Sequence, residues 1–284
     1  MPSAPGCAAC RKGSPVQPFE YCRPASVAEA LALLREGVDA KLLAGGQSLL
    51  ASMKLGLMAP ERLIDIARLP DLRGLELSGG RLQLGAMLSH GELAAAPALR
   101  AFAPGLAQLA GHIADAQVRS RGTLGGSLAN ADPAACWSAG VMALGATLRS
   151  DRREIPADEF FAGLFSTALE PDELLCGLSL PRPRRFAYLK FEQPASRFAL
   201  VGVAIAQFED GRVRLALNGT AQGVLRLPEF ERALERDFSP AALRGLRVDE
   251  ALMSSDLHAG ADYRAHLAAV LARRLLTRML ETPI

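Results

Sequence analysis

Two glycine-rich segments hold the residues of this chain whose types and spacing could do chemistry. The first is Ala44-Gly45-Gly46-Gln47-Ser48 and the second is Arg121-Gly122-Thr123-Leu124-Gly125-Gly126-Ser127. Glycine permits positive φ and lets backbone come close to a ligand. Successive backbone N–H groups in such turns form a concave anion site. Two such nests facing one another would suit a pyrophosphate, so the chain reads first as a binder of a phosphate-bearing cofactor. There is no G-x-x-x-x-G-K-[ST], and no G-x-G-x-x-G between a strand and a helix. A P-loop NTPase and a Rossmann dinucleotide site are therefore disfavoured. A hairpin or a helix terminus would explain either Gly-Gly pair alone; the pairs gain weight from each other and from their flanks.

Few other residues have the spacing of a chemical site. The five cysteines, Cys7, Cys10, Cys22, Cys136 and Cys176, are an odd number without regular spacing and make no disulfide framework. Cys7 and Cys10 form one C-x-x-C, but a zinc or iron–sulfur site needs four ligands and a second pair is missing. His90, His112, His258 and His266 are scattered and read as helix-surface or capping residues. No catalytic residue and no metal ligand is assigned. With a net charge of +2 and basic clusters (Arg149/Arg152/Arg153 and Arg182/Arg184/Arg185) poor in aromatic neighbours, no nucleic acid partner is expected. No apolar run reaches the length of about 18 residues that spans a bilayer. Residues 1–18, with no apolar signal core, read as a disordered extension of a cytoplasmic protein.

The elements that must position the glycine segments can be read from pattern. Ser26-x-x-Glu29 is a capping box that opens a helix running to about Glu36, and Ser89-x-x-Glu92 is a second. Lys41–Leu43 is a strand delivering the first glycine turn, and Arg62–Ile66 is the next. Leu75–Leu77 and Arg81–Leu84 form a hairpin across Ser78-Gly79-Gly80. Pro97 to about His112 is a helix that Pro104 could break. The second glycine turn fills Arg119 to about Asn130, and Pro133 opens a helix to about Leu144. Strands follow at Ala146–Arg149, Leu174–Leu180, Tyr188–Glu192, Val201–Phe208 and Arg212–Leu217, the last two joined by Asp210-Gly211. A helix from about Asp262 to Leu280 ends the pattern, and Pro181-Arg182-Pro183 reads as a hinge between two domains.

Four stretches carry a resemblance. They are Ala44 to Leu50 with Met53-Lys54-Leu55; Gln117 to Pro133; Phe160 to Gly163 with Thr167 to Leu175; and Lys190-Phe191 with Pro194 to Val203. In these the sequence resembles the FAD-binding medium subunits of molybdenum hydroxylases, the group of aerobic carbon monoxide dehydrogenase and the flavin domain of xanthine dehydrogenase. The likeness runs from about Phe19 to the end. It implies an α+β fold of PCMH type: two α+β subdomains (about 19–72 and 73–181) sandwiching FAD, then a domain of antiparallel strands and helices (186–284). It also implies residue roles. Ala44, Gly45, Gly46, Gln47 and Ser48, with Thr123, Leu124, Gly125, Gly126 and Ser127, cradle the pyrophosphate. Asn130 and Asp132 lie near the ribityl chain, and Leu175 and Lys190 near the flavin ring. Three departures stand out: Cys136 where an acidic residue is frequent, Ala51 and Gly56 where Pro and Arg are common, and Ala114 in place of a usual glycine.

The activity that the resemblance implies is electron transfer. Substrate is hydroxylated at molybdenum on a large molybdopterin-binding subunit, electrons cross a small 2Fe-2S subunit, and FAD on this chain passes them to an external acceptor. A dimer of heterotrimers is the implied assembly. Two other readings stay open from sequence: a self-sufficient flavin oxidase of the vanillyl-alcohol-oxidase kind, and a scaffold subunit that has lost flavin.

Overall fold

The computed structural model describes residues 16–281; the Cys7/Cys10 segment lies outside them. The chain opens with β1 (Glu20–Cys22), α1 (Val27–Leu34), β2 (Ala40–Leu43), α2 (Leu49–Lys54) and β3 (Arg62–Asp65). The three strands are parallel, in the order β1-β3-β2. Parallel neighbours need crossover connections, and α1 and α2 belong to them. Ser26 caps α1 by accepting from Glu29 N at 3.1 Å, and the Glu29 carboxylate reaches back to Ala25 N at 2.7 Å. Ala30, Leu31, Ile64, Ile66, Leu69 and Leu72 form a small core that also takes in Met87 and Leu174, which flank strands of the next sheet.

That sheet begins with the hairpin β4 (Leu75–Ser78) and β5 (Arg81–Gly85), turned by Gly79 and Gly80, both at positive φ. Six helices follow: α3 (His90–Ala95), α4 (Pro97–Phe102), α5 (Pro104–Gly111), α6 (Ala116–Arg121), α7 (Leu124–Asn130) and α8 (Cys136–Leu144). Then come β6 (Thr147–Ser150), β7 (Glu154–Pro156), α9 (Ala157–Phe160), the small pair β8 (Phe161–Gly163) and β9 (Ser166–Thr167), and β10 (Leu175–Pro181). The antiparallel order is β4-β5-β10-β6-β7.

Pro104 breaks the helix over 97–112 in two, as its missing N–H allowed, and takes the first position of α5. Two local expectations change. The second glycine segment is not an open turn: Thr123 N-caps α7, and Gly125 and Gly126 lie inside that helix. The helix after Pro133 starts later, at Cys136. Asp132 Oδ1 accepts from Ala134 N at 2.8 Å and Asp132 O from Ala135 N at 2.9 Å, so a turn precedes the helix.

A meander completes the fold: β11 (Arg185–Glu192), β12 (Ala199–Gln207), β13 (Val213–Thr220) and β14 (Gly223–Arg226), antiparallel in chain order, then α10 (Pro228–Arg236) and α11 (Ala261–Glu281). Side chains alternate along a strand. On β12, Val201, Val203 and Ile205 pack with Leu271 and Leu275 of α11, while Ala204 and Ala206 join the other core. That core also holds Trp137 of α8 and Phe160, both fully buried, with Phe186 and Tyr188 of β11. The core around α8 is thus continuous past Pro181-Arg182-Pro183. Among the described residues, no helix is long and apolar enough to cross a membrane.

Candidate functional site

Strand β2 ends at Leu43, and Ala44–Ser48 turn the chain into α2. Gly46 has φ +73°, the left-handed region that favours glycine. The backbone N–H groups of Gly45, Gly46, Gln47 and Ser48 find no acceptor among the described residues. Ser48 caps α2 without a side-chain bond. Four donors in succession are therefore left without a protein acceptor, as an anion-binding nest requires.

The second segment differs from expectation. The amides of Leu124, Gly125 and Ser127 donate to Leu88 O, Ala86 O and Thr123 O at 2.7–3.0 Å, and that of Gly126 to Thr123 Oγ1 at 3.1 Å. They are spent inside the protein and form no open nest. Leu124 is fully buried in the core and does not line the cavity described below. Gly125 is small for a structural reason: a Cβ there would lie 2.9 Å from Ala86 O and run into Ala86 Cβ. What this segment offers is polar side chains. The Ser127 hydroxyl and the Asn130 carboxamide make no hydrogen bond within the described residues.

The fold brings the two segments into contact. A Cβ on Gly45 would collide with Arg121 O and stand 2.8 Å from Gly122 Cα, and one on Gly126 would lie 3.4 Å from Ala44 Cβ. Where they meet, a cavity of about 560 Å³ opens. It is lined by Ala44, Gly45, Gly46, Gln47, Ser48, Thr123, Gly125, Gly126, Ser127, Asn130, Asp132, Leu175 and Lys190, every expected site residue except Leu124. Its volume is within the range usual for cofactor pockets. The ion pairs of Arg35, at the end of α1, with Asp151 at 3.3 Å and Asp172 at 3.1 Å tie the parallel sheet to the second sheet near this cavity.

Comparison with known proteins decides the family. Residues 17–183 match the FAD binding domain in molybdopterin dehydrogenase. The carbon monoxide dehydrogenase medium chain of Hydrogenophaga pseudoflava is 38% identical over 275 residues, covering 91% of this chain and 96% of that one. This chain belongs to the FAD-binding medium subunits of the molybdenum hydroxylases. The nicotine 6-hydroxylase medium subunit of Paenarthrobacter nicotinovorans is 35% identical, over 91% of this chain and 96% of its own length. The solved structure of reconstituted CO dehydrogenase from Oligotropha carboxidovorans superposes with a TM-score of 0.86 at 32% identity, covering 93% of this chain and 98% of that one. The cofactor of this medium subunit is FAD, and the donor set fits it: free amides for phosphate, hydroxyl and carboxamide groups for hydroxyls, and an apolar remainder for the ring.

The charged groups around the medium subunit's cavity are mostly held. Lys190 Nζ donates to His112 O at 2.9 Å and Arg197 O at 2.5 Å, which pins the segment 193–198 at the cavity wall. Glu173 is clasped by Arg153, at 3.0 Å from Nε and 2.9 Å from Nη2, and this pairing pulls its carboxyl down to about 2. Asp132 has one oxygen on Ala134 N; burial pushes its pKa up. Cys136 is packed in the wall as well as lining the cavity. Burial raises its thiol pKa, with Lys190 and the Tyr188 hydroxyl acting in the opposite direction. Its place is compatible with both roles weighed from sequence, cavity wall and helix core.

One site residue escaped the sequence reading. His112, His258 and His266 are exposed, but His90 is 5% exposed and lines the cavity. Trp137 Nε1 donates to His90 Nδ1 at 3.0 Å. Burial, reinforced by the positive Arg119, lowers the His90 pKa to about 4, so the ring is neutral near pH 7. Its position just after the cap Ser89 looks like a surface position in sequence; only the contact with Trp137, 47 residues away, buries it. The Ala114 departure also acquires a meaning. Ala114 has φ +43°, where glycine would be unstrained, and Arg119 Nη1 braces that turn through Ile113 O at 2.9 Å and Ala114 O at 2.8 Å.

Proposed function

We propose that this chain is the electron-output subunit of a molybdenum-containing dehydrogenase, passing electrons from iron–sulfur clusters on a small partner subunit through FAD to an external acceptor. The observation that carries the proposal is a cofactor-sized cavity in which Lys190, Glu173 and His90 are braced instead of poised. Lys190 is held by two carbonyls, Glu173 by Arg153, and His90 by Trp137. None of these is arranged as a general base with a movable proton. When bound, FAD supplies the step between one-electron donors and a two-electron acceptor. The chain's own part is to bind and orient it. Amides Gly45–Ser48 receive the phosphates, Ser127, Asn130 and Asp132 meet the sugar-alcohol region, and Leu175 with the Lys190-braced segment flanks the ring.

The proposed partners are a large molybdopterin-binding subunit and a small 2Fe-2S subunit, assembled as a dimer of heterotrimers in the cytoplasm. The proposed division of the chain is an FAD-binding domain at 19–181 and a C-terminal domain at 186–284. Apolar side chains left in solvent support a partner surface beside the cavity. Leu50, Leu55, Leu57 and Met58 are 37%, 74%, 73% and 38% exposed on α2 and the turn after it, while Met58 and the neighbouring Leu49 and Ser52 also line the cavity. The test is a tag on this chain in its native host, followed by rapid-mixing spectroscopy. FAD in the recovered complex should be reduced by the substrate of the molybdenum subunit, and the isolated chain should show no such reduction. Flavin reduction by a small organic substrate in the lone chain would overturn the proposal.

A further inference from the structure

His90 is the buried polar group of the cavity whose hydrogen bonding within the chain is half complete. The ring is 5% exposed, and Nδ1 is the acceptor from Trp137 Nε1 at 3.0 Å. An indole N–H can only donate, so Nδ1 carries no proton in the neutral ring and the proton sits on Nε2. No hydrogen bond from Nε2 is made to any described residue. Nε2 is not among the fully enclosed side-chain atoms left without a partner, so its N–H is accessible from the cavity that His90 lines, where a ligand oxygen can accept it.

The place of the ring says what that partner is. A Cβ on Gly122 would lie 2.9 Å from His90 Nε2, and Gly122 Cα is also what Gly45 packs against. Gly122 is therefore flanked by the free-amide turn on one side and by the imidazole on the other. Accepting the functional reading above, we infer that His90 is a cofactor-binding residue, an uncharged, tautomer-locked donor that gives its Nε2–H to a phosphate oxygen of FAD where the two glycine segments meet. Trp137 is a positioning residue: it fixes the tautomer and the ring plane, and touches no cofactor atom in this role. The depressed pKa agrees with the geometry, since the ring stays neutral near pH 7. The second segment, whose amides are already satisfied, thus acquires its missing donor from a side chain in the first turn of α3.

The experiment uses the full chain freed of flavin. FAD is titrated into the wild type, His90→Leu, His90→Gln and Trp137→Phe, with thermal melts of each flavin-free form as the control for folding. His90→Leu should bind FAD about tenfold or more weakly, the loss expected for a hydrogen bond to a charged acceptor. His90→Gln, which keeps a donor, should recover most of it. In ¹⁵N NMR of the labelled imidazole, the wild type should show the Nε2–H tautomer and a shift of that proton on adding FAD. In Trp137→Phe the two tautomers should mix. Wild-type affinity in a folded His90→Leu, an Nδ1–H tautomer, or a proton shift indifferent to FAD would each overturn the inference while leaving the flavin reading intact. A wild type that takes up no FAD would overturn both.

Discussion

Replacing Gly45 by alanine isolates the contact that brings the two glycine segments together. Gly45 is not among the glycines with positive φ, so alanine is conformationally allowed there and the effect is steric. The new Cβ would overlap Arg121 O and stand 2.8 Å from Gly122 Cα, about 0.6 Å inside the 3.4 Å at which ordinary contact begins. Both obstacles are backbone, and Gly122 is itself fixed by bonds from its N–H to Val118 O at 2.7 Å and from His90 N to its carbonyl at 2.9 Å. The segments must therefore part. Overpacking of this kind costs about 1–3 kcal/mol. The predicted result is a fall of that size in the unfolding free energy of the flavin-free chain, and FAD binding weaker by about tenfold or more. Gly56→Ala is the control. Gly56 is at φ +70° with nothing within 4 Å of its added Cβ, so it takes only the conformational penalty and FAD affinity should not change. Urea unfolding and fluorescence titration with FAD read both quantities. A Gly45→Ala protein with unchanged stability and affinity, or one whose FAD loss is matched by Gly56→Ala, would refute the reasoning.

Ala114→Gly should stabilise the chain by about 0.5–1 kcal/mol in urea unfolding, because φ +43° strains alanine and not glycine; a destabilised variant would contradict this. Glu173 has a folded pKa near 2 against an ordinary 4.5, so its contribution is complete above about pH 4.5 and is lost as pH falls toward 2. Glu173→Gln should therefore cost about 1–3 kcal/mol at pH 7, discounted for the half-exposed Arg153, and progressively less at pH 3; a constant deficit would rule out the ion pair as its source. Lys190→Met should free the 193–198 segment, seen as faster hydrogen exchange at Arg197 N, which donates to Gln193 O at 2.8 Å, and as quicker FAD release; unchanged exchange would mean the ammonium is not the brace. Cys136→Asp puts a carboxylate at the first turn of α8, beside the Tyr188 hydroxyl and in the field of Lys190, and should tighten FAD by about tenfold in an intact fold; weaker binding with an unchanged melt would show that the wall is fitted to the thiol.

Much of the fold was legible because its signals are local. Ser26 and Ser89 cap the helices that their spacing to Glu29 and Glu92 announces. Gly79-Gly80 and Asp210-Gly211 turn their hairpins, since few residues other than glycine take the φ these turns need. The edge strand β1 and the short β14 escaped, being too brief to show a period of their own, and α10, which does carry one in Phe230 and Leu234, was passed over among the C-terminal helices. The second glycine segment was misjudged as an open turn because Gly-Gly fits a nest and a tightly packed helix equally well. The difference lies in Ala86 and Leu88, on another part of the chain, which take its amides.

The sequence by itself determined the two glycine segments, the caps and turns around them and, through them, a phosphate-bearing cofactor, because these rest on backbone chemistry that each residue type carries wherever it stands; FAD and the family were legible only through the resemblance of four longer stretches. Tertiary structure decided which donors are free. It satisfied the amides of Leu124–Ser127 and left those of Gly45–Ser48 open, turned Leu124 into the core, braced Lys190 with the carbonyls of His112 and Arg197, and carried His90 under Trp137 to the cavity. Hydrogen bonds saturate. Whether a donor is left for a ligand depends on every acceptor the fold brings within 3.5 Å of it, and those acceptors are set by contacts between residues far apart in the chain.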